Sequence, residues 1–281
     1  MENKISEFYD DYVAEQSKTG INDRIYGVYE RLKALGLSNQ SSVLELGCGI
    51  GMMTSLIKRT VKQGKIHAID ISTASIDYGK AKFGAANITF STQDITEFET
   101  PLTTPDFITL IDVLEHIPLE KHAALFKRIS NYMGVNSLFV INLPNPDYIA
   151  HDIALEVDSL QVIDQPVPFA SLIQQLDDAG LELMTFQKYG LWHHDEYQWF
   201  VLRIKRPFKE IRIDDSLSFK DKIKRKIKRF RIKQLNKSIK AKSKSIKQCP
   251  DGKELNPLTE TNDKHNTQLS IRNKMRIYKE T

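Results

Sequence analysis

The sequence predicts an α/β fold in which five parallel strands alternate with helices, a terminal antiparallel hairpin follows, and a basic helical tail ends the chain. Three observations carry this reading. Short apolar runs alternate with amphipathic segments from Val43 to Leu143, the pattern of strands joined by helical crossovers. The last two strand-like runs, Leu181 to Tyr189 and Glu196 to Ile204, are separated by only six residues, which is too short for a parallel crossover and demands a hairpin. From Phe208 onward glycine and large apolar residues thin out and lysine takes over.

Taken in order, residues 4–18 place Ile5, Phe8, Tyr9, Tyr12 and Val13 on one helical face. A second helix, Asn22 to Leu35, turns Ile25, Val28, Leu32 and Leu35 inward and stops at Gly36, where a left-handed cap is expected. Val43 to Leu46 is the first strand, and a helix with Met53, Leu56 and Ile57 inward runs on to about Val61. Lys65 to Asp70 is the second strand. Ser72 caps the helix that follows, and Asn87 to Asp94 is the third strand. Asp106 to Ile111 is the fourth, Glu120 to Met133 a helix with Ala124, Leu125, Ile129 and Met133 as its buried stripe, and Ser137 to Leu143 the fifth. Pro144-Asn145-Pro146 interrupts the pattern, so residues 144–167 are expected to form an irregular, acceptor-binding cap before the helix Phe169 to Ala179. The expected organisation is N-terminal helices over 1–40, a core over 41–205, a basic amphipathic tail over 206–247, and a polar, disordered end over 248–281.

The first strand ends in Glu45-Leu46-Gly47-Cys48-Gly49-Ile50-Gly51. Alternate glycines let the backbone turn sharply and leave no Cβ between it and a ligand. A dinucleotide fingerprint wants glycine or alanine where Met52 stands, so the pattern is G-x-G-x-G rather than G-x-G-x-x-G. Glu45 is suited to an ammonium or sulfonium group. Asp70 ends the second strand, 19 residues after Gly51, as a carboxylate for two ribose hydroxyls, with Ile71 beside it. Asp94 and Asp112 likewise follow strand C-termini, where ligands of open α/β sheets sit.

Together these stretches resemble the motifs of class I S-adenosylmethionine-dependent methyltransferases. Asp112-Val113-Leu114-Glu115-His116-Ile117-Pro118 is similar to the stretch in O-methyltransferases of the ubiquinone-biosynthesis type. Gly20-Ile21-Asn22-Asp23-Arg24, Asn142-Leu143-Pro144-Asn145-Pro146, Ile163-Asp164-Gln165-Pro166 and Tyr197-Gln198-Trp199 resemble methyltransferases found with bacterial surface-polysaccharide genes. The resemblance implies a Rossmann-like, seven-stranded methyltransferase sheet. It implies S-adenosyl-L-methionine as cofactor and S-adenosyl-L-homocysteine as product. Glu45, Gly47, Gly49, Gly51, Asp70, Ile71, Asp94, Ile95 and Asp112 are the expected cofactor-binding set, with Asp94 at the adenine amino group and the Ile95 N–H at a ring nitrogen.

His116 is the candidate general base, since imidazole titrates near neutrality. A divalent metal on Asp112, Glu115 and His116 is the less favoured alternative, and no metal ligands are assigned. Tyr12, from a helix whose Phe8, Tyr9 and Tyr12 form a candidate lid, and Tyr148, His151 and His193 are candidate acceptor contacts. His193 and His194 are adjacent in an extended segment, so they point opposite ways and do not share an ion.

Charge is uneven along the chain. Residues 1–202 hold 15 Lys and Arg against 27 Asp and Glu, and residues 203–247 hold 19 against 4. Phe219, Ile223, Ile227 and Phe230 form an apolar stripe in that basic stretch, which suits an anionic membrane surface. Nucleic acid is disfavoured because stacking aromatics are sparse and the stripe has no use there. Cys48 and Cys249 provide no disulfide framework, and no run approaches the ~18 apolar residues of a membrane span. A cytoplasmic protein, at most peripheral on the inner face of the membrane, is expected. A saccharide hydroxyl in a glycan or lipid-linked glycan is the first choice of acceptor, and a quinone or phenol precursor the second. A non-catalytic cofactor-binding module tethered by its tail is the alternative from another class.

Overall fold

The computed structural model describes residues 13–157, 164–207 and 217–246. It divides into two units, Met1–Pro207 and Phe208–Thr281. In the first, residues 13–19 are helical (α1) and α2 spans Asp23–Ala34. There follow β1 (Val43–Leu46), α3 (Met52–Thr60), β2 (Ile66–Asp70), α4 (Thr73–Phe83), β3 (Ile88–Thr92) and β4 (Phe107–Ile111). Two short 3-10 turns, Leu114–His116 and Leu119–Lys121, lead into α5 (His122–Tyr132). The unit closes with β5 (Leu138–Pro144), α6 (Pro146–Ala154), α7 (Phe169–Asp178), β6 (Leu181–Tyr189) and β7 (Tyr197–Ile204).

The seven strands form one sheet in the order β3-β2-β1-β4-β5-β7-β6. The first five are parallel, and β7 inserts antiparallel between β5 and β6. Val43 pairs with Ile66 on one side and Phe107 on the other, so β1 is the strand from which the order departs in both directions. The loops after β1 and β4 therefore diverge and open a crevice at their carboxyl ends.

Both faces are covered. Leu44, Leu46, Leu110 and Ile141 pack toward Leu125, Phe126 and Ile129 of α5 and Leu172 and Leu176 of α7. Val43, Ile66 and Val140 pack toward Val28 and Leu32 of α2 and Leu56 and Ile57 of α3. Strands buried on both sides explain why β1 reads as a nearly unbroken apolar run.

Local chemistry sets most helix ends. Asn22 accepts the Ile25 N–H at the start of α2. At its end Gly36 adopts φ +105°, while the Gly36 and Leu37 N–H groups return to the carbonyls of Lys33 and Leu32. Ser72 Oγ accepts the Ser75 N–H as predicted.

Two expectations need correction. Pro144-Asn145-Pro146 does not open an irregular cap, because Asn145 caps α6 and Pro146 occupies its first turn, where a missing N–H costs nothing. In α5 Ala124 is exposed and Phe126 takes its place in the core, because His122, Leu125, Phe126 and Ile129, at offsets of three, four and seven, form the inward stripe. Phe8, Tyr9, Tyr12 and residues 248–281 lie outside the described residues.

In the second unit α8 (Phe219–Ile246) is a 28-residue helix. Phe219, Ile223, Ile227 and Phe230 are all exposed and share roughly an 80° arc at 3.6 residues per turn. Ile232, Leu235 and Ile239 are exposed on the opposite side, so the apolar stripe occupies only the N-terminal half.

Asn145 also ties α6 to the hairpin, its Nδ2 donating to the Asp195 carbonyl and its Oδ1 accepting from Gln198. Asn145→Ala removes the cap and strands buried partners, so a loss of about 1–3 kcal/mol is expected. Urea unfolding should show a lower midpoint with an unchanged slope.

Candidate active site

A cleft of about 710 Å³ opens beyond the carboxyl ends of β1, β2, β3 and β4. Its floor is the turn after β1. Gly47, Gly49 and Gly51 have φ of +74°, +51° and +85°, a region costly for any residue with a Cβ. At Gly47 a Cβ would also lie 2.3 Å from Val113 Cγ2, so the β1 and β4 loops approach as closely as they do only because that atom is missing. The Gly47 and Cys48 N–H groups are anchored on the Ile69 carbonyl at 2.8 and 2.9 Å.

Asp70 is oriented by backbone. The Gly49 N–H donates to its Oδ2 at 2.7 Å and the Ser72 N–H to its Oδ1 at 3.0 Å. Glu45 is buried and accepts from Thr54 Oγ1 at 2.6 Å, and burial pushes its pKa up to about 8, with Asp70 adding to the rise. A cation bound beside it would reverse that balance. Asp94 and Ile95 also line the cleft, the Thr96 N–H donating to Asp94 Oδ1 at 2.8 Å.

At the other side of the cleft Asp112, with φ +53°, has a partner that sequence reading gave no role. Arg24, from the first turn of α2, brings its Nε within 3.0 Å of Asp112 Oδ2 and donates from Nη1 to the Tyr197 hydroxyl at 3.2 Å. Asn142 donates to Asp112 Oδ1 at 2.8 Å and accepts from the Tyr189 hydroxyl at 2.7 Å. The Arg24 guanidinium is held above its ordinary pKa, first by Asp112, against the cost of burial. Asp112 is thus an ion-paired acid.

Glu115 is buried, and its Oε2 has no hydrogen-bond partner among the described residues. Burial raises its pKa to about 7 against the pull of His116. His116 Nδ1 lies 3.2 Å from Asp164 Oδ1 and its Nε2 3.9 Å from Glu115 Oε1.

The cleft therefore brings together Glu45, Gly47, Gly49, Asp70, Ile71, Asp94, Ile95, Asp112, His116 and Tyr148. Gly51, where a Cβ would meet Phe83 and Phe90 instead, His151 and His193 are not brought to its wall. The two histidine side chains are 66% and 67% exposed. His151 Nδ1 lies 3.4 Å from Asp152 Oδ1, and His193 packs on the Tyr148 ring at 5.7 Å in a turn whose three N–H groups converge on Glu196. Asp112, Glu115 and His116 do not form a metal-binding group, and no cluster of three such side chains occurs among the described residues.

Missed from sequence were Arg24 and Asp164. Both lie in stretches singled out above, and five of these stretches are joined through Arg24–Tyr197, Asn142–Asp112, Asn145–Gln198 and Asp164–His116.

The family model of the methyltransferase domain matches residues 5–185, and the chain belongs to that family. The malonyl-[acyl-carrier protein] O-methyltransferase of Acetivibrio thermocellus is 36% identical over 70 residues, 24% of this chain and 25% of that protein. A trans-aconitate 2-methyltransferase of an Enterobacter species is 27% identical over 129 residues, 46% of this chain and 49% of its own. The chain thus spans a quarter to a half of these two relatives. Magnesium protoporphyrin IX methyltransferase from Synechocystis, solved with bound SAH, superposes with a TM-score of 0.57 at 15% identity, over 72% of this chain and 99% of that one. The fold is that of the class I S-adenosylmethionine-dependent methyltransferases.

Glu45 carries a pH signature. The unfolded chain releases this proton near pH 4.5 whereas the folded protein keeps it to about 8, so stability falls as pH rises through that window. The slope is at most ~1.4 kcal/mol per pH unit for one such group, and Glu115 adds to it below about pH 7. Calorimetric melting of Glu45→Gln without nucleotide should show a shallower decline than wild type.

Proposed function

We propose that this chain transfers the methyl group of S-adenosyl-L-methionine to a hydroxyl, with a saccharide of a glycan or lipid-linked glycan as first acceptor and a quinone or phenol precursor as second. The observation that carries the reading is one cleft lined by the Gly47 turn, Asp70 and His116. The residues suit the cofactor. A buried carboxyl awaiting a cation, a backbone-oriented acid at the end of β2 and an open glycine turn match a sulfonium nucleoside. When bound, the cofactor supplies an electrophilic methyl on a sulfonium that leaves as a neutral thioether.

Each residue then has a task. Asp70 takes the ribose hydroxyls. Asp94 and the Ile95 N–H take the adenine. Arg24 and Asp112 form an ion pair complementary to a zwitterionic amino acid head. His116 accepts the acceptor's hydroxyl proton as the new C–O bond forms and the C–S bond breaks, so the proton ends on the imidazole and the sulfonium charge is discharged. Alignment and exclusion of water supply much of the acceleration.

A second reading concerns attachment. The stretch Phe219 to Phe230 of α8, apolar on one face and otherwise basic, supports peripheral binding to an anionic membrane near a lipid-linked acceptor. Among the described residues no helix is long and apolar enough to cross a membrane.

Asp70→Ala should lower cofactor affinity by roughly a hundredfold, since charged hydrogen bonds contribute ~1.5–3 kcal/mol each. Calorimetric titration with S-adenosylhomocysteine measures it, and unchanged affinity removes the assignment. His116→Ala should keep that affinity and lose transfer of labelled methyl to glycan or lipid extracts. For the tail, cosedimentation with phosphatidylglycerol vesicles should exceed that with phosphatidylcholine and weaken with salt. Ile223→Asp with Ile227→Asp should abolish it, and binding that is indifferent to lipid charge rejects this attachment.

A further inference from the structure

The turn that carries His116 is clamped from two directions. His122 Nε2 lies 2.8 Å from the Ile117 carbonyl and 3.1 Å from that of Leu114. Carbonyls only accept, so His122 carries its proton on Nε2, and burial, which lowers its pKa, keeps the ring neutral. Gln165, from the stretch before α7, donates its side-chain amide to the same Ile117 carbonyl and its main-chain N–H to the Glu115 carbonyl at 3.2 Å. The neighbouring Asp164 lies only 3.2 Å from His116 Nδ1. Two consecutive residues, remote in sequence from the turn, thus fix its backbone and reach its imidazole.

This arrangement has a chemical consequence. A carboxylate is an acceptor only, so a neutral His116 facing Asp164 through Nδ1 carries its proton there and its lone pair on Nε2. Glu115 stands 3.9 Å from Nε2, too far for a hydrogen bond, with the Arg24–Asp112 pair beyond it. His116 and Asp164 are both largely enclosed, with 12% and 10% of their side chains exposed, so the contact is little screened by water.

We propose that Asp164 is the positioning residue for methyl transfer, holding His116 as its Nδ1–H tautomer so that Nε2 takes the acceptor's proton. Gln165 and His122 hold the turn that makes the contact possible. The proposal rests on His116 being the base. Asp164 never touches the reacting atoms. Its effect is exerted through the ring, as in other acid-histidine pairs that orient a base.

Asn in place of Asp164 is isosteric but can offer an N–H to Nδ1, which selects the opposite tautomer. Initial rates of label transfer from S-adenosylmethionine to a cell-envelope glycan extract, at fixed extract and varied cofactor, should show Asp164→Asn lowering kcat by on the order of 10²–10⁴-fold. KM for the cofactor and the Kd for S-adenosylhomocysteine should stay within about threefold, and Asp164→Glu should recover much of the rate. Nitrogen spectra of ¹⁵N-histidine-labelled wild-type protein with S-adenosylhomocysteine should show His116 protonated on Nδ1, and this arm needs neither acceptor nor variant. An Nε2–H tautomer in wild type, or a wild-type kcat in Asp164→Asn, overturns the proposal. So does a joint decline of kcat and S-adenosylhomocysteine affinity that Asp164→Glu leaves unrepaired. Full activity of His116→Ala would remove the base itself. An inactive His116→Ala beside an unaffected Asp164→Asn would remove only the role of Asp164.

Discussion

The close approach of the β1 and β4 loops at Gly47 is the constraint on which the site depends. β1 and β4 are hydrogen-bonded neighbours, yet the chain leaves them toward opposite halves of the sheet, which obliges their loops to part just beyond the last pair, Leu46 with Leu110. Gly47 lets the first loop turn at once, with Val113 of the second resting where a side chain would otherwise be. This contact aligns the glycine turn, Asp70 and the Glu115–His116 turn around one cleft rather than three. It makes the cleft a property of the fold, since strand order and steric permission at a single position produce it together.

Charge then divides the cleft by function. Acids at β1 and the end of β2 are managed by backbone, as where Gly49 and Ser72 donate to Asp70, or by a hydroxyl, as where Thr54 donates to Glu45. On the other side Asp112 is neutralised by a guanidinium and Asp164 engages an imidazole. Burying so many carboxyl groups costs stability unless each is paired or protonated. The elevated pKa values of Glu45 and Glu115 express the residual cost. A cation bound beside either group would lower that cost.

Much of the fold was legible because it follows from local rules. Gly36 and Ser72 ended and began helices where their chemistry requires, and the six residues after Tyr189 permitted only an antiparallel return. The Asn145 cap is present in the sequence but is not distinguishable there from a break, because proline in Pro144-Asn145-Pro146 interrupts a strand as readily as it starts a helix. Tyr148 reached the cleft while His151, three residues on and close to it on the helical wheel, did not. Which of two neighbouring side chains meets a cavity depends on how the helix is set against the sheet. His193 sits exposed in a hairpin turn shaped by Glu196, whose carboxylate accepts the N–H groups of Leu191, Trp192 and His193.

What the amino-acid sequence determined alone was the order of strands and helices, the glycine turn, and the acids at strand ends, because each depends on residues within a few positions of one another. Only the tertiary structure decided the partners of those groups. Arg24 and Asp112 stand in different elements, as do His116 and Asp164, and no periodicity couples them. Coulombic and hydrogen-bonding contacts act through space at about 3 Å, and it is the packing of α2 and of the stretch before α7 beside the cleft that brings the paired residues within that range.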